Sequence, residues 1–209
     1  MNKLVIAGIG TEIGKTVVSA IVVEALQADY WKPVQSGAPT DSDTEIVRGL
    51  ITNTRSRFHP EAYSLREPLS PHAAADLDGV TIDLEQIQLP QTANHLVIEL
   101  AGGLMVPLNH HELSIDWVQR NSLPVLLVSR NYLGSINHTL LSVEACRTRN
   151  IPVLGIVFNG PSVPATEAVI LSLTGLACLG RVREEAHITQ AVIGQYAKNF
   201  LDSLNSMRA

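Results

Sequence analysis

Residues 4–16 read Leu4-Val5-Ile6-Ala7-Gly8-Ile9-Gly10-Thr11-Glu12-Ile13-Gly14-Lys15-Thr16, and the chain continues as Val17-Val18-Ser19-Ala20-Ile21-Val22-Val23. An apolar run, a glycine-bearing turn and a second apolar stretch describe a strand that feeds a helix through a short loop. Such a loop aims successive backbone N–H groups and the positive helix end at one point, where Lys15 adds a full charge and Thr16 a hydroxyl for Mg²⁺. That is the chemistry of a nucleotide phosphate cradle. Five residues separate Gly8 from Gly14, one more than in the usual phosphate loop, so the plain pattern does not match. A dinucleotide fingerprint has Gly8 and Gly10 in place, but its third glycine falls at 14 rather than 13, and no acidic residue ends the second apolar run near Val34. An ordinary turn carrying a chance lysine is the third reading; Gly14-Lys15-Thr16 at a strand-to-helix junction favours the phosphate cradle.

Further apolar runs lie at 30–34, 96–100, 125–128 and 153–158, and between them come helical stretches at 15–28, 43–50, 114–121, 135–148, 164–173 and 186–204. Strands alternating with crossover helices predict an α/β fold with a parallel sheet, and the continuous character of several runs predicts helices on both of its faces. Ile136, Leu140 and Val143 recur at helical spacing and predict one buried stripe. Ser114 is a candidate N-cap. The stretch 53–89, with Pro60, Pro68 and Pro71, reads as irregular. No internal repeat or linker interrupts the 209 residues, so 1–209 is expected to form one domain.

Apolar residues make up 45% of the chain and charged ones 17%, against about 25% charged in an average soluble protein. That supplies a core, excludes disorder and suits a self-associating subunit. A net charge of -5 argues against a nucleic-acid partner, whose phosphates the average field would repel. No run approaches the length of a membrane span, and Glu12 and Lys15 come too early for a secretory leader, so a cytoplasmic protein is expected. Cys146 and Cys178 form no framework or metal spacing.

Three constellations outside the first loop bear on chemistry. Lys32 sits in an apolar run, either snorkelling from a strand end or standing at the carboxyl edge of the sheet beside the phosphate loop. Glu99 closes the run 95–99 before Ala101-Gly102-Gly103, where a carboxylate can hold Mg²⁺ directly or through water. Asp43, opening a helix, is either a second such carboxylate or an N-cap. Gly134-Ser135-Ile136-Asn137-His138 opens another helix whose free N–H groups form an anion site. His138 reads as a satisfied partner rather than a catalyst, and His110 and His111 have no zinc-site pattern around them.

Taken together these residues resemble dethiobiotin synthetase, whose variant phosphate loop has five residues before Gly-Lys-Thr and carries Thr-Glu ahead of them, as Thr11, Glu12, Gly14, Lys15 and Thr16 do here. Further matching stretches follow in order: Lys32-Pro33-Val34-Gln35-Ser36-Gly37, Ser42-Asp43, Glu67-Pro68-Leu69-Ser70-Pro71-His72-Ala73-Ala74, Glu99 with Ala101-Gly102-Gly103 and Pro107-Leu108, Leu133 to His138, and Asn159. The resemblance covers the chain from its first strand to about Gly160. It implies a three-layer P-loop NTPase-like fold with a mainly parallel central sheet flanked by helices, and ATP-dependent ureido ring closure on 7,8-diaminononanoate and CO₂.

On the same resemblance Lys15 and Lys32 are catalytic, stabilising carbamate and phosphoryl oxygens. Glu12, Ile13, Gly14, Lys15, Thr16, Val17, Asp43, Glu99, Gly102 and Asn159 bind the nucleotide, Asn159 at the adenine edge. Thr16, Asp43 and Glu99 hold Mg²⁺, and Thr11, Ser36, Gly134 and Asn137 meet the substrate. Family members are homodimers in which the helix opening at Gly134 to Asn137 serves the other subunit's site. Two departures stand out. Leu100 follows Glu99 where the family usually has Gly, so a shifted loop or reshaped pocket is expected, and Gly180-Arg181-Val182-Arg183 replaces a Gly-x-Ile-Pro stretch near the adenine. The competing readings are a related P-loop ligase for another carboxylate or amine, a nucleotide-switch ATPase of the partitioning type, and a catalytically dead binding module. The second lacks its usual early lysine in Ile9-Gly10-Thr11.

Overall fold

A computed structural model describes residues 3–37 and 42–206. In chain order the elements are β1 (Lys3–Gly8), α1 (Lys15–Leu26), β2 (Asp29–Trp31), β3 (Val34–Ser36), α2 (Asp43–Leu50), β4 (Phe58–His59), β5 (Tyr63–Leu65), α3 (Pro71–Asp78), β6 (Leu96–Gly103), α4 (Ser114–Arg120), β7 (Val125–Arg130), α5 (Ser135–Thr148), β8 (Val153–Asn159), α6 (Pro164–Thr174), β9 (Cys178–Val182) and α7 (Gln190–Ser206). Seven strands form one sheet in the order β4-β2-β6-β1-β7-β8-β9, and every recorded pairing in it is parallel.

The continuous apolar runs are explained by the two faces of this sheet. Leu4 and Ile6 of β1 pack with Ile21 of α1 and Phe200 of α7 on one side. Val5 and Ala7 pack on the other with Trp117 of α4, Val143 of α5 and Ile170 of α6. With no solvent face, neither parity of a strand can be polar. The result is the three-layer α/β architecture expected from the sequence, with β1 central and ligand-binding loops at the carboxyl ends of its neighbours.

Several local expectations fail for identifiable reasons. The run 30–34 is not one strand: it divides at Lys32-Pro33. Pro33 has no N–H to give the ladder, its carbonyl accepts from Ala62 and Tyr63, and Val34–Ser36 pair instead with Tyr63–Leu65 in a separate parallel two-stranded sheet. The stretch 53–89 is not irregular throughout, since it holds β4, β5 and α3, and Pro71 begins α3 at its first turn, where a missing N–H costs nothing. Ser114 is not an N-cap. It is the first residue of α4, its hydroxyl donates to the Val106 carbonyl, and Asp116 accepts the N–H of Leu113. On α5 the buried stripe is Ser135, Thr139, Val143 and Cys146, leaving Ile136 exposed and Leu140 only half-buried.

Candidate active site

The phosphate loop curls between β1 and α1, with Glu12 (φ 56°) and Gly14 (φ 87°) in the left-handed region. Bends of this kind form anion-binding concavities. A Cβ at Gly14 would lie 2.2 Å from Nδ2 of Asn159, so only glycine admits both the backbone angle and this contact. Nδ2 of Asn159 donates to the Ile13 carbonyl at 2.8 Å, tying the end of β8 to the loop. The Ile13 side chain is buried in the core and Val17 packs half-buried against it, so Ile13 presents chiefly its main chain to a ligand. The guanidinium of Arg130, at the end of β7, donates to the Glu12 carbonyl at 3.3 Å.

An open cleft of about 740 Å³ lies over the loop, with Thr11, Glu12, Ser36 and Gly102 on its walls. Its floor is a compact charge cluster. Trp31 pairs with Ile98 across β2 and β6, so the next residues, Lys32 and Glu99, come side by side. The Lys32 ammonium is ion-paired to Asp43 and lies 3.5 Å from Oε1 of Glu99. Oγ1 of Thr16 lies 2.6 Å from Oδ1 of Asp43 and 2.9 Å from Oε1 of Glu99. One hydroxyl hydrogen cannot serve both carboxylates at once, so three oxygens converge with fewer donors than acceptors.

Burial works to lower the basicity of Lys32, but Glu99 and Asp43 outweigh it and its pKa is raised. For Asp43 the cost of burial is likewise outweighed by Lys32 and Thr16, and its pKa is lowered. Lys15 responds the other way: burial dominates and lowers its pKa despite the two carboxylates. Its ammonium donates to the Gly10 carbonyl at 3.2 Å, lying back across its own loop.

Both sequence alternatives for Asp43 and Lys32 are thereby resolved. Ser42, not Asp43, caps α2 by accepting from Glu45 N–H, which frees the Asp43 carboxylate for the cleft. Lys32 does not snorkel, being 5% exposed. Leu100 does not line the cleft, although the β1–β6 register shifts just after Glu99, from Ile6–Glu99 to Gly8–Gly103. Strand alternation turns the Leu100 side chain away from Glu99 into the core beside Trp117 and Leu108. Ser36 has a buried hydroxyl with no partner among the described residues. Gly134 and Asn137 lie outside this cleft, at the opening of α5. His138 accepts or donates at Nδ1 to the Tyr132 hydroxyl at 2.6 Å, as a satisfied partner does.

Tyr30 was not legible as a site residue from sequence motifs. It is fully buried and its hydroxyl donates to Oε2 of Glu99 at 3.0 Å. Burial first, then the Glu99 charge, push its phenol pKa well above the usual value, so it keeps its proton and acts as a hydrogen-bond donor. Its signal is parity: on β2, two residues before the Lys32 that directly follows the strand, it shares that lysine's side of the chain. Gln35 was also missed; its Oε1 accepts the Asp43 N–H at 3.2 Å.

Comparison with known proteins bears directly on this geometry. The ATP-dependent dethiobiotin synthetase BioD of Christiangramia forsetii is 52% identical over 195 residues, covering 93% of this chain and 94% of that protein. The enzyme of the same name from Cytophaga hutchinsonii is 49% identical, covering 97% and 98%. This chain belongs to the dethiobiotin synthetase family. A family profile described as an AAA domain also matches residues 2–192. Among solved structures, the cell division ATPase MinD of Pyrococcus furiosus superposes with a TM-score of 0.64 at 12% identity, covering 99% of this chain and all of that one. A ParA family ATPase from Chlorobium tepidum gives 0.57 at 11%, covering 98% and 92%. Likeness at such identities concerns the fold, and it confirms the P-loop NTPase architecture. Membership of the dethiobiotin synthetase family, by contrast, rests on half of all residues along nearly the full chain, and it separates this protein from the partitioning-type switches that share its sheet.

Proposed function

We propose that the cleft closes the ureido ring of dethiobiotin from 7,8-diaminononanoate, CO₂ and ATP, with residues 1–209 acting as one synthetase domain. The observation that carries this reading is the cluster of Thr16, Lys32, Asp43 and Glu99 beside Lys15 at the mouth of the phosphate loop. One amine of the substrate and CO₂ give a carbamate and a proton. A carbamate oxygen then attacks the γ-phosphorus and ADP leaves; the second amine attacks the resulting carbonyl carbon and expels phosphate.

Carbamate and triphosphate are both anions, so their approach is opposed by a repulsion that fixed cations in a poorly hydrated cleft offset. Lys32, kept charged by Asp43 and Glu99, is suited to the carbamate and the transferring phosphoryl group. Lys15 would leave the Gly10 carbonyl for phosphate oxygens, whose negative charge would offset the burial that lowers its pKa. Glu12, Ile13, Gly14, Val17 and Gly102 would contribute to the nucleotide cradle through the loop and its facing wall, while Thr11 on the same wall would meet the substrate. The Ser36 hydroxyl, without a partner among the described residues, suits the reacting end of the substrate.

The residues fit Mg²⁺. A hydroxyl and two carboxylates are the hard oxygen donors it takes, and here Oγ1 of Thr16 lies within 2.6 and 2.9 Å of oxygens of Asp43 and Glu99. Held by Thr16, Asp43 and Glu99, the ion would supply charge neutralisation on the phosphates. Asn159 keeps one amide hydrogen and its oxygen for the adenine. Beyond it a second cavity of about 450 Å³, bordered by Gly160, Arg183 and Tyr196, is offered for the base and ribose.

The substrate carboxylate is assigned to the α5 opening, Gly134 to Asn137, of a second subunit in a cytoplasmic homodimer. Exposed Tyr132, Leu133 and Ile136 beside that opening support a buried interface there. A monomer by sedimentation at micromolar concentration would contradict it. The reaction itself is tested by ADP release with and without the diamine and bicarbonate: release that requires both supports it, and release that ignores the diamine favours a ligase of another substrate.

A further inference from the structure

We infer that Tyr30 is a positioning residue that locks the Glu99 carboxylate with one oxygen turned to the phosphate loop, and so sets the affinity of the cleft for its divalent cation. The inference rests on the assignment of Thr16, Asp43 and Glu99 as the cation's ligands. The two oxygens of Glu99 have separate partners: Oε2 accepts from the Tyr30 hydroxyl at 3.0 Å, while Oε1 faces Thr16 at 2.9 Å and Lys32 at 3.5 Å. Rotation of the carboxylate would break the phenol bond in a place without water, since Tyr30 is fully buried and Glu99 is 1% exposed.

Tyr30 is itself held on both sides. Its backbone pairs with β4 and β6, and its ring lies 5.9 Å from that of Phe58 at 49°. The oxygen turned away from the cleft is therefore fixed by a rigid donor rather than by solvent. Mg²⁺ demands near-ideal octahedral geometry, and outer-shell hydrogen bonds to a ligating carboxylate are the means by which a protein meets that demand.

The test uses the full-length protein with Mn²⁺ and a non-hydrolysable ATP analogue, free Mn²⁺ being read from its paramagnetic resonance signal. Tyr30→Phe is expected to weaken Mn²⁺ binding by about 10- to 100-fold, with affinity for the analogue in EDTA unchanged. Because Phe leaves a small void, 4-aminophenylalanine, which keeps a donor on the ring, is compared at position 30 with 4-methylphenylalanine, which fills the space without one. Mn²⁺ affinity kept by the amino ring and lost by the methyl ring supports the inference. Equal affinity for the two, or an unaltered Tyr30→Phe protein, overturns it. A parent protein that binds no Mn²⁺ removes the cation-site assignment and the role of Tyr30 together, whereas parent binding that Tyr30→Phe leaves untouched removes only the latter.

Discussion

The Lys32 ammonium stands 3.5 Å from Oε1 of Glu99, an arrangement between two nearly solvent-free charges brought together by neighbouring parallel strands. Such a cation has been desolvated in advance of any ligand, so its interaction with a developing negative charge is strong. Lys32→Ala and Lys15→Ala are each expected to lower kcat by at least about 100-fold, while His138→Ala, whose ring serves Tyr132, keeps most of the activity. Steady-state ADP release measures all three, and near-normal rates in both lysine variants would contradict the account.

Gly14→Ala places a methyl group where Nδ2 of Asn159 now lies and forces a left-handed angle on alanine, at an intrinsic cost of about 1–2 kcal/mol. Titration calorimetry should find nucleotide binding lost while circular dichroism stays that of the parent. Retained affinity would mean that the loop does not need this approach.

Leu100→Ala separates core from cleft. Removing a side chain packed among Trp117 and Leu108 should cost about 2–5 kcal/mol of stability, read as a lower midpoint in urea, with the KM for the diamine unchanged. A shifted KM with stability intact would instead return Leu100 to the substrate pocket.

Glu167 gives a pH prediction away from the site. Its carboxylate accepts from Arg181 at 2.6 Å, Asn131 at 2.9 Å and Ser162 at 3.0 Å; burial opposes its charge, but these partners outweigh that and its pKa lies below 4.5. A depressed folded-state pKa contributes stability that is present above the unfolded value and is lost as pH falls through the folded one. Glu167→Gln should therefore cost about 1–3 kcal/mol at neutral pH, toward the low end because Arg181 is half exposed to screening solvent. The gap to the parent should narrow as the pH falls below the unfolded carboxylate value of about 4.3 and on through the lower folded one. Urea unfolding at neutral and acid pH checks this, and a gap independent of pH would contradict it.

Legibility followed how local the determining physics was. The phosphate loop, the parallel strands and most helix bounds could be read because glycine conformational freedom and apolar periodicity act within a few residues. Lys32, Asp43 and Glu99 were visible as charges in unexpected places, but their mutual contact depends on register between β2 and β6, which no single segment encodes. The division of 30–34 at Pro33 depends on a partner strand at 63–65 that receives Val34–Ser36, which the run itself does not reveal. That Leu100 faces the core follows from alternation across the strand, which spacing along the chain does not express. The α5 stripe was misplaced because small polar residues, Ser135 and Thr139, occupy its buried face, where hydropathy points elsewhere. Tyr30 belongs to no motif, and its meaning arises only from the carboxylate opposite.

The central claim is that the two cations bring carbamate and γ-phosphate into reacting contact, so that phosphate departs carrying an oxygen that entered as CO₂. Turnover with ¹⁸O-labelled CO₂ and unlabelled ATP, followed by mass analysis of the released phosphate, reads this directly. One labelled oxygen in each phosphate is the predicted result; unlabelled phosphate released alongside dethiobiotin would contradict it.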